Sequence, residues 1–312
     1  MAEDLIVSLD SQVDSLEIVG GKGRSLAKLT NAGFDVPGGF QVTTRAYRQF
    51  VAEHDLQSRI IELAKPRIVE GTSSFEQASS DINSLFQEYD LQEEIAQEIA
   101  KAYEDLEGTP AVAVRSSANA EDLPDLSFAG QQETYLNVKG ADEVAVAVKN
   151  CWASLWTAQA INYRHEMDIQ QDVVAMAVVV QIMIPSEVAG ILFTANPATG
   201  DRDEMIINCS FGLGEAVVSG QVTPDTYILD RPSLKATETI IGAKDQMIVS
   251  DGNQGTRMED VTEGQKKQSS LNDASLSELA SVALRIEKEF DGVPQDIEWA
   301  ISAGKLWLLQ SQ

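Results

Sequence analysis

One stretch of the sequence, residues 111–138, limits most strongly how the chain can fold and what it can bind. The apolar run 111–114 predicts a short strand that delivers Arg115 at its end, and residues 133–138 alternate like a second strand. The loop between them is polar and contains Gly130. The arginine fork matches phosphate oxygens, and a glycine lets backbone N–H groups approach a ligand closely. The stretch therefore suggests a holder for a phosphate chain.

A second interpretation of Arg115 stays open at this point. An arginine at a strand end often pairs with a carboxylate, and the same loop offers Glu121, Asp122 and Asp125. The residue types alone do not decide between an ion pair and a phosphate site.

The same stretch also resembles a known family. Two segments carry the resemblance, Val114-Arg-Ser-Ser-Ala-Asn-Ala-Glu-Asp-Leu-Pro and Ser127-Phe-Ala-Gly-Gln-Gln-Glu-Thr. They are similar to the signature of the pyruvate, phosphate dikinase nucleotide-binding domain, whose family includes phosphoenolpyruvate synthase and rifampicin phosphotransferase. The resemblance implies an α+β, ATP-grasp-like domain of two lobes that binds ATP and Mg²⁺ in the cleft between them. It also implies that Arg115 neutralises the phosphates, while Gly130 and Thr134 shape the phosphate loop.

The charge of the chain excludes some classes of partner. The sequence has 23 Lys and Arg against 49 Asp and Glu, a formal net charge of −26. Such a surface repels nucleic acid and anionic membranes, and an anion such as ATP needs a local basic site in order to bind. Cys151 and Cys209 are too few for a disulfide scaffold, and neither a signal peptide nor a membrane-spanning run is evident. We therefore expect a cytoplasmic protein without nucleic-acid or membrane partners.

A glycine-rich turn near the start of the chain is a second candidate anion site. The segment Gly20-Gly-Lys-Gly-Arg-Ser leads into a helical pattern, but it is not a Walker A loop because Gly23 follows Lys22. A glycine turn that opens a helix presents N–H groups and the positive end of the helix dipole to an anion. A tight turn with an incidental surface lysine fits the residues at least as well. The family carries the same Gly-Gly-Lys-Gly sequence, and the resemblance implies that Lys22 contacts ATP phosphates.

A nearly unbroken apolar run, residues 173–184, predicts a strand that is buried on both faces. Gln181 interrupts it, and a buried amide must find hydrogen-bond partners in the protein or face a ligand. Both options stay open from the residues, and the resemblance implies that Gln181 lies beside the nucleotide. Pro185 then breaks the pattern, so we place the boundary between an N-terminal lobe, 1–184, and a strand-rich C-terminal lobe, 185–312, at this point.

The end of the chain predicts a hairpin with strands 295–302 and 305–312. Pairing centred near Gly304 places Glu298 opposite Gln310. Alternation then gives one face with Asp296, Glu298, Gln310 and Gln312, and an opposite face with Trp299 and Trp307. Carboxylate and amide oxygens suit Mg²⁺, which takes further ligands from phosphate and water. A solvated polar sheet face is the more common origin of such a pattern.

The resemblance implies that Glu298 and Gln310 bind the metal, and it makes Lys22 and Arg115 the candidate catalytic residues. Position 312 departs from the family, which has arginine where this chain has Gln312. Since glutamine lacks the charge and the fork, we expect weaker ATP binding.

The family carries its phosphorylated histidine on a separate domain, in a Thr-x-His-Gly-Gly context, and binds the acceptor in a third region. His54 and His165, the two histidines of this chain, do not lie in that context. The resemblance therefore implies the ATP-binding part of a phosphotransferase, which is not expected to turn over alone. The favoured reaction is phosphoenolpyruvate synthesis from ATP, pyruvate and water, with AMP and phosphate as the other products. Rifampicin phosphorylation and a non-catalytic nucleotide-binding module are the alternatives.

Overall fold

The computed structural model describes residues 4–119 and 133–312, and it divides into two compact units. The first unit comprises the chain up to Ala27 together with Gly38–Met183, and the second comprises Lys28–Pro37 and Ile184–Gln312. Residues 28–37, which were predicted in the N-terminal lobe, belong to the second unit because Leu29 packs in its apolar core.

The first unit is built on an antiparallel sheet. Within the described residues its strands are β1 (Ile6–Ser8), β2 (Gly39–Val42), β3 (Arg67–Val69), β4 (Thr72–Ser74), β5 (Val112–Ala118), β6 (Thr134–Val138) and β7 (Met176–Ile182). Five of these strands form one sheet in the order β1-β2-β7-β5-β6, and β3 pairs with β4 as a separate hairpin. The helices are α1 (Leu16–Asn31), which belongs to this unit as far as Ala27, α2 (Thr44–Ala52), α3 (Leu56–Leu63), α4 (Glu76–Glu88), α5 (Glu93–Glu104), α6 (Ala141–Ser154) and α7 (Ala158–Glu166).

The strand that carries Arg115 is longer than predicted. β5 does not end at Arg115 but continues to Ala118, because Ser116 and the residues after it pair with β7 as far as Met176. Arg115 therefore lies in the middle of the strand. The strand predicted at 133–138 is confirmed as β6.

The two faces of this sheet differ in character. Side chains alternate across a strand, so Val178 and Val180 of β7 point to one face and Val179 and Gln181 to the other. Val178 and Val180 belong to an apolar core. Helical residues that pack in the same core include Tyr47, Phe50, Ile82, Ile99 and Trp152. The helices thus cover one face, and the other face carries polar side chains.

The second unit is also built on an antiparallel sheet. In the described residues its strands are β8 (Val188–Phe193), β9 (Glu204–Phe211), β10 (Asp225–Asp230), β11 (Lys235–Ile240), β12 (Gln246–Ser250), β13 (Thr256–Asp260), β14 (Asp296–Ser302) and β15 (Lys305–Ser311). Six of them form a sheet in the order β11-β10-β9-β8-β14-β15, and β12 and β13 form a hairpin. The helices are α8 (Glu215–Val218), α9 (Glu263–Lys266) and α10 (Asp273–Glu289).

One face of the second sheet packs against α10. Its core contains Ile207, Tyr227 and Trp299 from the sheet and Leu279 and Ile286 from the helix. The predicted α+β class, with two compact units, is confirmed and agrees with an ATP-grasp-like domain. Among the helices in residues 4–119 and 133–312, none has both the length and the apolar character that a membrane span requires.

Candidate functional site

The Gly20–Gly23 turn lies against the strand that carries Arg115. α1 is kinked at Gly20, whose backbone is not helical (φ 71°, ψ 179°). Lys22 follows the kink, and its side chain is buried, with 7% of its surface exposed. Its Nζ donates a hydrogen bond of 2.8 Å to the backbone carbonyl of Ser116, the neighbour of Arg115 on β5. The Lys22 ammonium therefore contacts the backbone of β5 at the residue that follows Arg115, although Lys22 and Arg115 are far apart in sequence.

Two buried side chains hold this turn in place. The Ser117 hydroxyl accepts a hydrogen bond from the Gly23 N–H (3.1 Å) and donates one to the Val19 carbonyl (2.8 Å). The Gln41 amide donates to the Gly23 carbonyl at 3.3 Å. Both side chains come from strands of the sheet, so the sheet fixes the turn from two sides.

The contact is close enough to require glycine at position 20 and to leave no room for a side chain at position 23 unless Gln41 moves. A Cβ at Gly20 would lie 2.2 Å from the Ser117 carbonyl oxygen, and Gly20 also has a positive φ. A Cβ at Gly23 would lie 1.9 Å from Oε1 of Gln41. The glycines of the Gly-Gly-Lys-Gly segment thus permit the turn to pack directly on β2 and β5.

Arg115 and Thr134 are directly opposite each other on β5 and β6. Both are half-buried, and directly paired residues share a face of the sheet. Gly130, the third predicted member of the phosphate loop, lies outside the described residues. The carboxylates of the alternative ion pair, Glu121, Asp122 and Asp125, also lie outside them, so that alternative is untested.

Gln181 lies on the same face as Arg115. It pairs with Ala113 of β5 and with Gly39 of β2, and it is buried, with 2% exposed. The register of the four strands places a set of polar residues on the face opposite the apolar core, namely Gln41, Arg115, Ser117, Thr134 and Gln181. Of the site residues predicted in the first unit, Arg115, Thr134 and Gln181 share this face, and Lys22 contacts the backbone of β5.

Two titratable side chains on the opposite, helix-covered face of the sheet, Cys151 and Tyr135, have raised pKa values. Burial raises the pKa of the Cys151 thiol well above its usual value, although the positive charge of Lys22 opposes the shift. Burial, reinforced by the charge of Glu133, raises the pKa of Tyr135 on β6 to about 12. Because only a thiolate is a good nucleophile, Cys151 is not a candidate for covalent catalysis.

In the second unit, the predicted pairing of the C-terminal hairpin is confirmed. Glu298 of β14 is directly opposite Gln310 of β15. Gln310 is buried and Glu298 is half-buried. Partial loss of hydration raises the pKa of Asp296, which lies on the same face as Glu298. The backbone pairing continues to Gln312, whose N–H donates to the Asp296 carbonyl at 3.0 Å.

The predicted position of one tryptophan is wrong. Trp299 pairs with Leu308 and packs in the core, but Trp307 pairs with Ala300 and lies on the opposite face, the one that carries Glu298. The cause is a two-residue turn in which Ala303 (φ 48°) and Gly304 (φ 76°) both have positive φ. A bulge between Glu298 and Trp299 then restores the Glu298 register.

The face that carries Glu298 continues across the whole sheet of the second unit. Cross-strand pairs connect Gln310 and Glu298 with residues of β8, β9, β10 and β11, in the order Ile191, Asn208, Thr226 and Ile240. These four residues help to line an open pocket of about 490 Å³. In residues 4–119 and 133–312 there is no group of three or more His, Cys, Asp and Glu side chains arranged to hold a metal by themselves. A metal on Glu298 and Gln310 would therefore need ligands from the nucleotide or from water.

Two residues of the candidate site, Gln41 and Ser117, were not predicted. Both are buried polar residues within strands, and Gln41 interrupts the run Gly39-Phe-Gln-Val just as Gln181 interrupts β7. The signal was therefore present, but only the strand register shows that these side chains face the turn.

Comparison with known proteins agrees with this geometry. The family model described as pyruvate phosphate dikinase, AMP/ATP-binding domain, matches residues 16–312. This match covers nearly the entire chain and includes the turn, β5 and the C-terminal hairpin. The chain belongs to this family of nucleotide-binding domains.

Curated relatives point in the same direction. A probable phosphoenolpyruvate synthase of Methanocaldococcus jannaschii is 43% identical over 302 residues, 95% of this chain and 25% of that protein. The phosphoenolpyruvate synthase of Pyrococcus furiosus is 40% identical over 344 residues, 96% of this chain and 42% of that protein. A probable phosphoenolpyruvate synthase of Archaeoglobus fulgidus is 43% identical over 307 residues, 97% of this chain and 40% of that protein. The chain thus spans less than half the length of these relatives.

Proposed function

We propose that this chain binds ATP with Mg²⁺ and presents the nucleotide for dikinase-type phosphoryl transfer. The observation that carries the proposal is the contact between the Gly20–Gly23 turn and β5, in which the Lys22 ammonium bonds to the backbone carbonyl of Ser116, the residue that follows Arg115. A polyphosphate needs cationic partners, above all in a chain with a net charge of −26, and this contact joins the turn that carries Lys22 to the strand that carries Arg115. The match to an AMP/ATP-binding domain supports the same conclusion.

In this proposal each residue has a separate task. The Lys22 ammonium and the Arg115 guanidinium contact phosphate oxygens and stabilise the charge that develops there during transfer. Thr134, opposite Arg115 on β6, shapes the phosphate loop together with Gly130. Gln181, on the same face of the sheet, borders the nucleotide.

The C-terminal hairpin fits the metal part of the proposal. Glu298 and Gln310 are directly opposed and offer one carboxylate and one amide oxygen, both suitable ligands for Mg²⁺. When bound, Mg²⁺ offsets phosphate charge and aligns the phosphoryl group for transfer. Glu298 is half-buried and lies on the same face as Asp296.

The parent reaction that we favour is the conversion of ATP, pyruvate and water to AMP, phosphoenolpyruvate and phosphate. It would proceed through a phosphohistidine on a separate domain, with the acceptor bound in a third region, and the chain alone would not turn over. The names of the relatives support this reaction over rifampicin phosphorylation. Their greater length leaves room for such further domains.

The test is a calorimetric titration of ATP into the chain, in Mg²⁺ and in EDTA. We expect saturable binding that is tighter with Mg²⁺. Lys22→Met and Arg115→Met should each weaken binding about tenfold or more, since a hydrogen bond to a charged group contributes about 1.5–3 kcal/mol. Arg24→Met is the matched control, because it removes an exposed cation two residues from Lys22.

Two results would overturn the proposal. One is an ATP affinity that stays unchanged in Lys22→Met, Arg115→Met and Glu298→Gln alike. The other is a loss of ATP affinity in Arg24→Met as large as that in Lys22→Met. Lys22 would then act only through the overall charge of the chain.

A further inference from the structure

The Ser117 hydroxyl occupies a specific place in helix α1. In a regular α-helix the N–H of residue 23 bonds to the carbonyl of residue 19, four positions earlier. Here the Ser117 hydroxyl lies between these two groups: it accepts from the Gly23 N–H at 3.1 Å and donates to the Val19 carbonyl at 2.8 Å. A side chain from β5 is therefore inserted into the hydrogen-bond ladder of α1.

This insertion accounts for the kink in α1. Sharp kinks occur where a side chain enters the ladder of hydrogen bonds between residues four positions apart, or at glycine and proline. Gly20 lies between the two bridged groups and adopts the non-helical conformation (φ 71°, ψ 179°) that opens the helix. Gly20 thus permits the kink, and Ser117 satisfies the two backbone groups that the kink separates.

The kink determines where Lys22 points. Lys22 is the second residue after Gly20, and its ammonium reaches the carbonyl of Ser116, the residue next to Ser117. If α1 closed its regular bond between Val19 and Gly23, the backbone at Lys22 would rotate away from β5. The hydroxyl of one strand residue therefore controls the direction of a lysine that is 95 positions earlier in the sequence.

We propose that Ser117 is a positioning residue for Lys22, acting by keeping α1 open at Gly20. This inference rests on the proposed function, since it assigns to Ser117 the placement of the lysine that contacts the ATP phosphates. Ser117 itself does not touch the nucleotide in this proposal. Its hydroxyl proton is used by the Val19 carbonyl, and the hydroxyl oxygen accepts from the Gly23 N–H.

The neighbouring serine provides a matched control. Ser116 and Ser117 are both 0% exposed and lie on the same strand, but alternation puts their side chains on opposite faces. The Ser116 hydroxyl donates to the Glu133 carbonyl at 3.3 Å, and Lys22 uses only the Ser116 backbone carbonyl, which substitution by alanine retains. Ser117→Ala should weaken Mg-ATP binding about tenfold, whereas Ser116→Ala should stay within about twofold of the parent chain.

A double-mutant cycle separates positioning from general destabilisation. In a Lys22→Met background, Ser117→Ala should cause no further loss of ATP affinity, because no lysine remains to be positioned. Its effect on thermal stability should be the same in both backgrounds. An equal tenfold loss of affinity with and without Lys22 would overturn the inference.

A second readout does not depend on ATP. In a chain labelled with ¹⁵N-glycine, Ser117→Ala should shift the amide resonances of Gly20, Gly21 and Gly23, whereas Ser116→Ala should leave them in place. If Ser117→Ala does not fold, Ser117→Cys keeps a weak donor and acceptor at the same position and should give a smaller shift in the same direction. Unchanged glycine resonances in the Ser117 variant would refute the insertion of the hydroxyl into α1.

ATP affinity and the glycine resonances together distinguish a failure of the proposed function from a failure of the positioning role of Ser117. If Lys22→Met binds ATP as the parent does, the proposed role of Lys22 is wrong, and the role of Ser117 in positioning it falls too, even when the glycine resonances move. If Lys22→Met weakens binding and Ser117→Ala does not, the proposed function stands and the positioning role is wrong.

Discussion

Each unit contains a buried lysine, and the two lysines have different surroundings. Lys244 in the second unit is 0% exposed, and its ammonium donates to the Asp225 carboxylate (2.6 Å) and to the carbonyls of Gly242 and Lys266. Since an ammonium has three hydrogens, these three bonds use all of them. Lys22 in the first unit is 7% exposed, and its ammonium donates to the backbone carbonyl of Ser116 on β5.

The difference shows how a structural lysine can be distinguished from a candidate ligand-binding lysine. Asp225 also accepts bonds from the N–H groups of Gly242 and Ser270 and from the Ser270 hydroxyl, so the charge pair closes a complete internal network. Lys22 instead lies on a turn in which a side chain at Gly20 would clash with the backbone of β5. Burial alone would have grouped the two lysines together, but the bond of Lys22 to the β5 backbone differs from the bond of Lys244 to a buried carboxylate.

The largest expected effect concerns the structural lysine. Lys244→Met should destabilise the second unit by about 3–5 kcal/mol, because it leaves the buried Asp225 carboxylate without its counter-charge. Unfolding in urea measures this loss. Asp225→Leu in the same chain should recover part of it, and ATP affinity of the folded variant should match that of the parent. A fall in ATP affinity equal to that in Lys22→Met would contradict the distinction between the two lysines.

The second prediction concerns the turn that carries Lys22. Gly20→Ala should destabilise the chain by about 1–3 kcal/mol more than Gly108→Ala, because a side chain at Gly20 meets Ser117. Gly108 is a matched control, since its φ of 75° is similar to the 71° of Gly20 but no atom lies within 4 Å of its Cβ position. Chemical denaturation of the two variants provides the comparison. Equal losses would mean that only backbone strain matters at Gly20.

The third prediction concerns the core on the other face of the first sheet. Burial raises the pKa of Tyr47 to about 12, against a bond from Trp156 that lowers it. The pKa of Tyr47 is higher in the folded chain than in the unfolded chain, where it is near 10. The resulting contribution to the free energy of unfolding is fully present below pH 10 and is lost as the pH rises through about 12. Between pH 10 and 12 the free energy of unfolding should therefore fall by up to about 2 kcal/mol less in Tyr47→Phe than in the parent chain. Denaturation curves at several alkaline pH values test this, and an unchanged slope would contradict it.

The smallest expected effect concerns the end of the hairpin. Gln312 is exposed and follows β15, where the family pattern has arginine. Gln312→Arg should tighten Mg-ATP binding by up to about tenfold, since it adds a charged contact of about 1 kcal/mol or more to the phosphates. Gln254→Arg, at an exposed position in the loop between β12 and β13, adds the same charge as a control. Equal gains in both variants would point to the general reduction of negative charge.

Local signals in the sequence predicted much of this structure. The run 173–184 predicted β7, and the alternation in 133–138 predicted β6, because apolar and β-branched runs have few alternatives to a strand. The Glu298–Gln310 pairing also followed from a hairpin centred near Gly304. The face on which Trp307 lies could not be predicted in this way. A two-residue turn shifts the register by one residue, and a bulge then restores it.

Long-range contacts could not be predicted in this way. β5 extends past Arg115 through polar residues, and only pairing with β7 keeps Ser116 and Ser117 in a strand. The contact of Ser117 with α1 joins positions about a hundred residues apart, and no local pattern encodes it. The candidate lysine and arginine were thus identified from residue types and family resemblance, but the reason that they come together is a tertiary contact.

The most direct test of the central claim is an experimental structure of the chain with Mg²⁺ and a non-hydrolysable ATP analogue. We expect phosphate oxygens within hydrogen-bond distance of Lys22 Nζ and the Arg115 guanidinium, and the metal on Glu298 and Gln310. A bound analogue whose phosphates contact neither Lys22 nor Arg115 would contradict the account.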